Sequence, residues 1–423
     1  MIFNKEIASR VLDKMSQWSL YIFIFVLPFS KSMVEIATVV AIVSIVARKF
    51  LLRERIFKLS AVNIALYLFV AVSAPSFFNT SDLALSVRAF FFKTIKFAAV
   101  FLAAQEVFNT KERVKNFIIM GMLSCIVIIA DGFIQHYVTH VDILHSYPSF
   151  QFCEASILVP RLSLSPYETT FLGFPTASFP FPNDFASWIL VMIFPAAAFT
   201  FLGKGSWRGR VLSGLCFAGL FFLLVLTKAR SAWIGFFASL LLLPLLKFPN
   251  IKRVYAALLV LSIFTVPFVA KKDVRDAILS SSSIADRHVM WANGWKIFKE
   301  HPVIGNGLNT FFVNYMEVRE DEHKNKKGSY AHNCYLQMAA DIGSVGLASF
   351  LGFVALLLIG AARSLSSLKG GFCYPLQLGL ITGISAYLVH SFFDTSLYSL
   401  NLAALFWIVA GLSAAIAADR GMP

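Results

Sequence analysis

Apolar runs long enough to cross a bilayer recur along this chain, and they limit its fold more than any other feature. A spanning helix needs roughly 20 mainly apolar residues, within a range of about 17–25. On that criterion about twelve spans are expected, near residues 18–30, 32–47, 59–78, 86–107, 115–137, 183–202, 210–227, 231–247, 253–270, 333–361, 373–392 and 397–418. The expected fold class is therefore an all-α polytopic membrane protein. Composition agrees: 58% of residues are hydrophobic and 14% charged, where soluble domains carry about 25% charged residues. The first two runs are short and divided only by Phe29-Ser30-Lys31, the weakest boundary in the set. Residues 1–17 read as a short amphipathic lead-in to a retained first helix, with no small-residue cleavage site. With no internal repeat and no low-complexity linker, residues 1–423 are expected to form a single membrane domain.

A formal net charge of +14 raises the question of nucleic acid, but where the charges fall decides it. Arg48, Lys49, Arg53, Arg55 and Lys58 lie in one short connection, and Lys111, Arg113 and Lys115 in another. Lys204, Arg208 and Arg210, then Lys247, Lys252 and Arg253, then Arg363 and Lys369 occupy three more. These are alternate connections, so the positive-inside rule puts them, and both termini, in the cytoplasm. The intervening connections then face the periplasm of a bacterial inner membrane. No nucleic-acid partner is implied. The five cysteines (Cys125, Cys153, Cys216, Cys334 and Cys373) are scattered in a way that reads as neither zinc site nor disulfide framework.

Two periplasmic intervals exceed a turn. Residues 138–182 form a loop rich in Pro and aromatics, expected to pack on the second interval or line a cavity. Residues 271–331, between the ninth and tenth spans, form the one long polar stretch and are expected to be largely helical. Ser281, Ser282 and Ser283 precede a helix over about 284–300, which His301-Pro302 stops. Arg287, Trp291 and Trp295 follow one another at i, i+4 spacing, with Phe298 close by, which suits a helix at the membrane interface. Arg287 is a candidate anion clamp at headgroup depth; snorkelling, or pairing with Asp286 or Glu300, is the alternative. Gly305-Asn306-Gly307 then turns into a short helix ending at Tyr315, followed by a solvated loop over 319–327.

His332 and Asn333 open the tenth span. A helix N-terminus and neighbouring cations both disfavour the imidazolium, and a neutral imidazole there suits a general base. The alternative is a helix-start residue with only hydrogen-bonding duty. Lys228 and Arg230 occupy an almost lengthless connection close to hydrocarbon, and Arg161 lies in the Pro-rich loop. Arg88, Lys93 and Lys96 fall in the outer half of the fourth span without an obvious acidic neighbour, which suggests an anionic ligand or snorkelling to headgroups. His390 and Asp394 stand at i, i+4 and either orient a ligand or satisfy each other. His136, His140 and His145 lack the acid or Cys that would complete a metal set, so no metal is expected. Many cations, one well-placed His and hydrocarbon nearby suit a lipid-linked pyrophosphate. Tyr147, Phe150, Tyr167, Trp291 and Trp295 would be platforms for its sugars.

The segments ADRHVMW (285–291), HPVIGNG (301–307), AHNCYLQ (331–337) followed by Asp341-Ile342-Gly343, FPNDFASW (181–188) and KARSAW (228–233) resemble the O-antigen ligase and O-antigen polymerase superfamily of bacterial envelope glycosyltransferases. The order of these motifs is specific to the superfamily and less so to a member; the ligases look closer. The resemblance implies a functional Arg at Arg287, a His at His332, a second Arg at Arg230 and an Asp at Asp394. It also implies the GT-C fold and transfer of polysaccharide from an undecaprenyl-pyrophosphate-linked O-antigen donor onto a lipid A–core acceptor in the periplasm. Neither nucleotide sugar, metal nor other cofactor is implied. His332 would then be the base, with Arg287, Arg230, Arg161, Lys228, Arg88, Lys93 and Lys96 around the pyrophosphate and Asp394, His390, Trp291 and Asn333 in support. A polymerase using the same donor, or a transporter of lipid-linked oligosaccharide, remains as an alternative.

Overall fold

A computed structural model describes residues 2–55, 58–139, 142–143, 175–246, 282–319 and 330–418. Among the described residues there are helices and turns but no strand. The lead-in and first span form one helix, α1 (Ile2–Val26), and Ser30 caps the next, α2 (Lys31–Leu52), by accepting the Met33 N–H. Ser60 and Asp82 cap α3 (Ala61–Ser73) and α4 (Leu83–Ala89) in the same way. Each side-chain oxygen takes one of the donors that a helix start leaves unpaired.

The expected fourth span is not one regular helix. A π-helical turn, Phe90–Ile95, joins α4 to α5 (Lys96–Val107). Then come α6 (Lys111–Ile134), α7 (Pro182–Leu202), α8 (Trp207–Thr227) and α9 (Arg230–Leu240). The polar interval supplies α10 (Ser282–Glu300) and α11 (Phe311–Val318). Three long helices close the chain: α12 (Cys334–Ser364), α13 (Cys373–His390) and α14 (Leu400–Ala418). The expected span at 253–270, and most of the loop at 138–182, lie outside the described residues.

Six of these helical stretches are long and apolar enough to cross a membrane: Ala61–Asn79, Lys111–Thr139, Pro182–Leu202, Trp207–Thr227, Cys334–Ser364 and Leu400–Ala418. The protein is a multi-pass membrane protein. Its centre is α14, which is buried from Asn401 to Ile416 and packs on α5 and α12. A helix apolar all round needs such a position. Trp407 anchors it, with ring centroids 5.3 Å from Phe353 and 6.3 Å from both Phe69 and Phe101. On another side α13 packs against α7 and α9.

One end of the bundle is tied by ions. Glu106 accepts Arg48 at 2.6 Å, Lys58 at 2.8 Å and Lys49 at 3.1 Å, while Asp13 accepts Arg113 at 2.7 Å. Much of the basic connection at 48–58 is therefore engaged in joining α1, α2 and α5. Glu106 stands about 20 Å along the helix from Lys93, at 1.5 Å per residue. The other end holds the polar interval.

Candidate active site

The break in α12 sets the geometry. At Gly343 the backbone leaves helical geometry (φ 70°, ψ −178°), and residues 301–307 lay their main chain into the gap. Asn306 N–H donates to Ala340 O at 2.9 Å and Gly307 N–H to Asp341 O at 3.0 Å. In return Pro302 O accepts Ser344 N–H at 2.8 Å and Val303 O accepts Val345 N–H at 3.3 Å. Hydrogen bonds that a broken helix loses are thus remade by the HPVIGNG segment, as an apolar setting requires. A Cβ on Gly343 would overlap the Val303 carbonyl, and one on Gly305 the Asp341 carbonyl. The Asn306 amide completes the joint, donating to Ile297 O at 2.8 Å and Ala340 O at 3.1 Å. In this way α10, which carries Arg287, is seated on α12, which His332 and Asn333 introduce.

His332 is held by its neighbours on both sides. Asn333 is the N-cap of α12: its Oδ1 accepts the Tyr335 and Leu336 N–H groups, both at 3.0 Å. Ala331 N–H donates to Gln337 Oε1 at 3.1 Å, and Cys334 N–H to Ser391 O at 2.9 Å. Trp291 Nε1 donates to the His332 carbonyl at 3.3 Å. Between these ties His332 takes a left-handed backbone (φ 49°), a costly conformation for a residue with a Cβ. Its side chain is 47% exposed, so a substrate can reach it.

His332 Nδ1 lies 3.7 Å from Asp394 Oδ1. Asp394 stays electrostatically coupled to His390, and the structure adds a second imidazole, that of His332, which the spacing did not reveal. The i, i+4 relation holds only within a helix, and α13 ends at His390, so Asp394 belongs to the turn beyond. That turn brings it to His332 while His390, fully buried, stays within electrostatic reach. Thr395 N–H donates to Asp394 Oδ1 at 2.7 Å. Burial alone would raise the Asp394 carboxyl. The imidazoles of His332 and His390 and the Thr395 N–H outweigh it and hold the group below its ordinary range. Burial lowers the Arg287 guanidinium, Asp394 opposes that shift and Arg230 adds to it. Arg287, Arg230, His332, His390 and Asp394 thus form one charged group, although they come from four separate stretches of chain.

Other expected contributors are placed differently. Trp291 and Trp295 do not form one platform: Trp291 packs on Phe392 and Phe393 (centroids 5.7 and 6.4 Å), whereas Trp295 is 51% exposed beside Phe298 and Lys299. Lys96 and Lys93 are not cations without acidic neighbours. Lys96 Nζ lies 2.6 Å from Glu35, and Lys93 donates to Asn309 Oδ1 with Asp341 within electrostatic reach. Arg88 is exposed on α4. Lys228 caps α8 in a left-handed conformation, in the same turn as Arg230. Arg161, Tyr147, Phe150, Tyr167, His140 and His145 lie outside the described residues, as does the side chain of Asp286.

Sequence reading missed Asp184, at the start of α7, whose charged neighbours are Asp394, Lys31 and His332. The signal was its place in the FPNDFASW segment at a span's edge, which was read as a motif without a role for this residue. Tyr330 was also missed: its ring centroid is 6.3 Å from that of Tyr398, and burial, then Asp341 and Asp184, raise its hydroxyl.

A helical membrane protein with a His–carboxylate pair and arginines gathered at one end of its bundle is the class defined so far. Residues 215–351 match the family model described as O-antigen ligase, which supports assigning the chain to the O-antigen ligase superfamily and points to a glycosyltransferase-type enzyme. The matched segment contains Lys228, Arg230, Arg287, Trp291, His332 and Asn333; Asp184, His390 and Asp394 lie outside it. No curated protein matches the chain.

Proposed function

We propose that this protein transfers polysaccharide from undecaprenyl pyrophosphate to a sugar hydroxyl of lipid A–core, without nucleotide sugar or metal. The observation that carries the reading is the 3.7 Å approach of His332 Nδ1 to Asp394 Oδ1, with Arg287 and Arg230 in the same charged group. With the Nδ1 proton directed at the carboxylate, the Nε2 lone pair is available. It takes the proton of the acceptor hydroxyl as that oxygen attacks the anomeric carbon of the donor. The bond from that carbon to the phosphate oxygen breaks, and its electron pair leaves with undecaprenyl pyrophosphate, so the anomeric centre is inverted. Arg287 and Arg230 stabilise the charge that builds on the leaving group. Arg161 and Lys228 are further candidates for that role; Lys93 and Lys96 have other partners and are not. The fold is of the GT-C type with about twelve spans, held in the inner membrane with both termini in the cytoplasm and the site in the periplasm.

Purified protein in liposomes, supplied with lipid-linked donor, should modify lipid A–core only when that acceptor is added. Donor chains that lengthen without it would indicate a polymerase instead. His332→Ala should slow transfer by about 10²–10⁴, the usual worth of a general base. A His332→Ala variant that kept most of its rate would overturn the assignment. EDTA should leave the rate unchanged; loss reversed by Mg²⁺ would overturn the metal-free reading.

A further inference from the structure

Behind the joint between the 301–307 segment and α12 lies a cavity of about 80 Å³. The π-helical turn supplies Lys93 and Thr94 to its wall, and the loop after Gly307 supplies Asn309. Asp341 of α12 and Tyr398 of the 396–398 turn complete the polar side. Most of the remaining lining is hydrocarbon, Phe97 and Trp407 included.

Asn309 is the keystone of the polar side. Its backbone is left-handed (φ 61°), a conformation that Asn tolerates better than most residues with a Cβ. In that pose its Oδ1 accepts Lys93 Nζ while its N–H donates to Asp341 Oδ2 at 3.2 Å. Neighbouring bonds hold the same loop against α4 and the turn before it. Asn79 Nδ2 donates to Gly305 O at 3.1 Å, and Ser86 Oγ to Leu308 O at 3.3 Å. Lys93 is thus joined to one oxygen of Asp341 through Asn309. The other oxygen, Oδ1, is buried without a hydrogen bond on a residue only 2% exposed.

Charged or protonated, a carboxyl oxygen shut away from solvent costs free energy until it is paired. The Lys93 ammonium and the Tyr398 hydroxyl are among the groups that act on Asp341. A metal cation here would meet that ammonium, and a hydrocarbon chain would leave Oδ1 unpaired. Water both donates and accepts, so it serves Oδ1 in either protonation state. A buried water needs about 10–15 Å³ of space and about two to four polar partners, and this cavity supplies both. We infer that the cavity is a hydration site, whose water bridges Asp341 Oδ1 to Lys93 and Tyr398. The bridge ties the π-helical turn to the broken helix a second time, beside the Asn309 link.

Radiolytic labelling of the full-length protein in nanodiscs tests this, with a scavenger removing radicals formed in bulk. A short X-ray pulse makes hydroxyl radicals from water inside the cavity, and these oxidise the side chains beside it. Met338 and Trp407 line the cavity and are buried, so both should be oxidised. Cys125 and Cys216 line a different cavity, of about 70 Å³ and walled mostly by hydrocarbon. Apolar cavities stay dry, so these thiols should stay unmodified although they react readily. Asp341→Leu should abolish labelling of Met338 and Trp407, whereas Asp341→Asn, which stays polar, should retain it. Absence of label at both residues in the wild-type protein would overturn the inference whatever the variants do, as would equal labelling of Cys125 and Cys216. Labelling that depended on Na⁺ in the buffer would overturn it in favour of a cation site.

Discussion

Asp394 presents one carboxylate oxygen to His332 Nδ1 at 3.7 Å while the same oxygen accepts the Thr395 N–H at 2.7 Å. The distance to the imidazole is longer than a hydrogen bond, and catalytic contacts often tighten only with substrate in place. The carboxylate thus favours the tautomer with Nδ1 protonated. Asp394→Asn, similar in size but uncharged, should lower the single-turnover transfer rate by about 10²-fold or more while donor binding is retained. An unchanged rate would show that Asp394 does not orient the base.

The stability contribution of Asp394 has a defined pH signature. Its carboxyl is held below the ordinary range, so it stabilises the fold above the unfolded value of about 3.9 and loses that contribution as pH falls through the lowered folded value. Thermal unfolding in detergent should show wild type more stable than Asp394→Asn at neutral pH, with the gap narrowing below about pH 4. A gap that failed to narrow there would assign the stabilisation elsewhere.

Gly343 tests the joint between α10 and α12. A side chain there is strained at φ 70° and overlaps the Val303 carbonyl. Gly343→Ala should cost about 1–3 kcal/mol or more in stability and also lower transfer. Gly352→Ala and Gly360→Ala, in the same helix but with nothing near the added carbon, should leave unfolding unchanged or slightly raised. Equal behaviour of all three would contradict the inserted loop.

Lys96 and Arg287 should separate by what they affect. Lys96 faces Glu35 at 2.6 Å in a partly exposed pair, so Lys96→Met should cost about 1 kcal/mol of stability and leave donor KM alone. Arg287→Met should raise donor KM with little change in unfolding temperature. A donor KM that rose in Lys96→Met would return that residue to the binding site.

The helices were largely legible in the sequence because hydrocarbon runs and Ser or Asp caps are local signals. Ser30 opens α2 where the weakest boundary was expected. His332 and Asn333 were likewise readable, as polar residues at the threshold of an apolar run. The break at Gly343 was hidden, since DIGSVG continues an apolar pattern and the loop that fills the gap lies far away in the chain. The partners of Lys96 and Lys93 were hidden for the same reason: Glu35 is 61 residues away and Asn309 is 216. The i, i+4 spacing of Asp394 pointed to His390, with which it is electrostatically coupled, and gave no sign of His332.

Because four backbone hydrogen bonds, completed by the Asn306 amide, join residues 301–307 to the gap in α12, the seating of α10 on α12 depends on residue count. Substitutions at Val303 or Ile304 leave that seating in place. An insertion or deletion of one residue between His301 and Gly307 would shift every backbone bond in the joint, so the length of this segment matters more than the side chains at Val303 and Ile304.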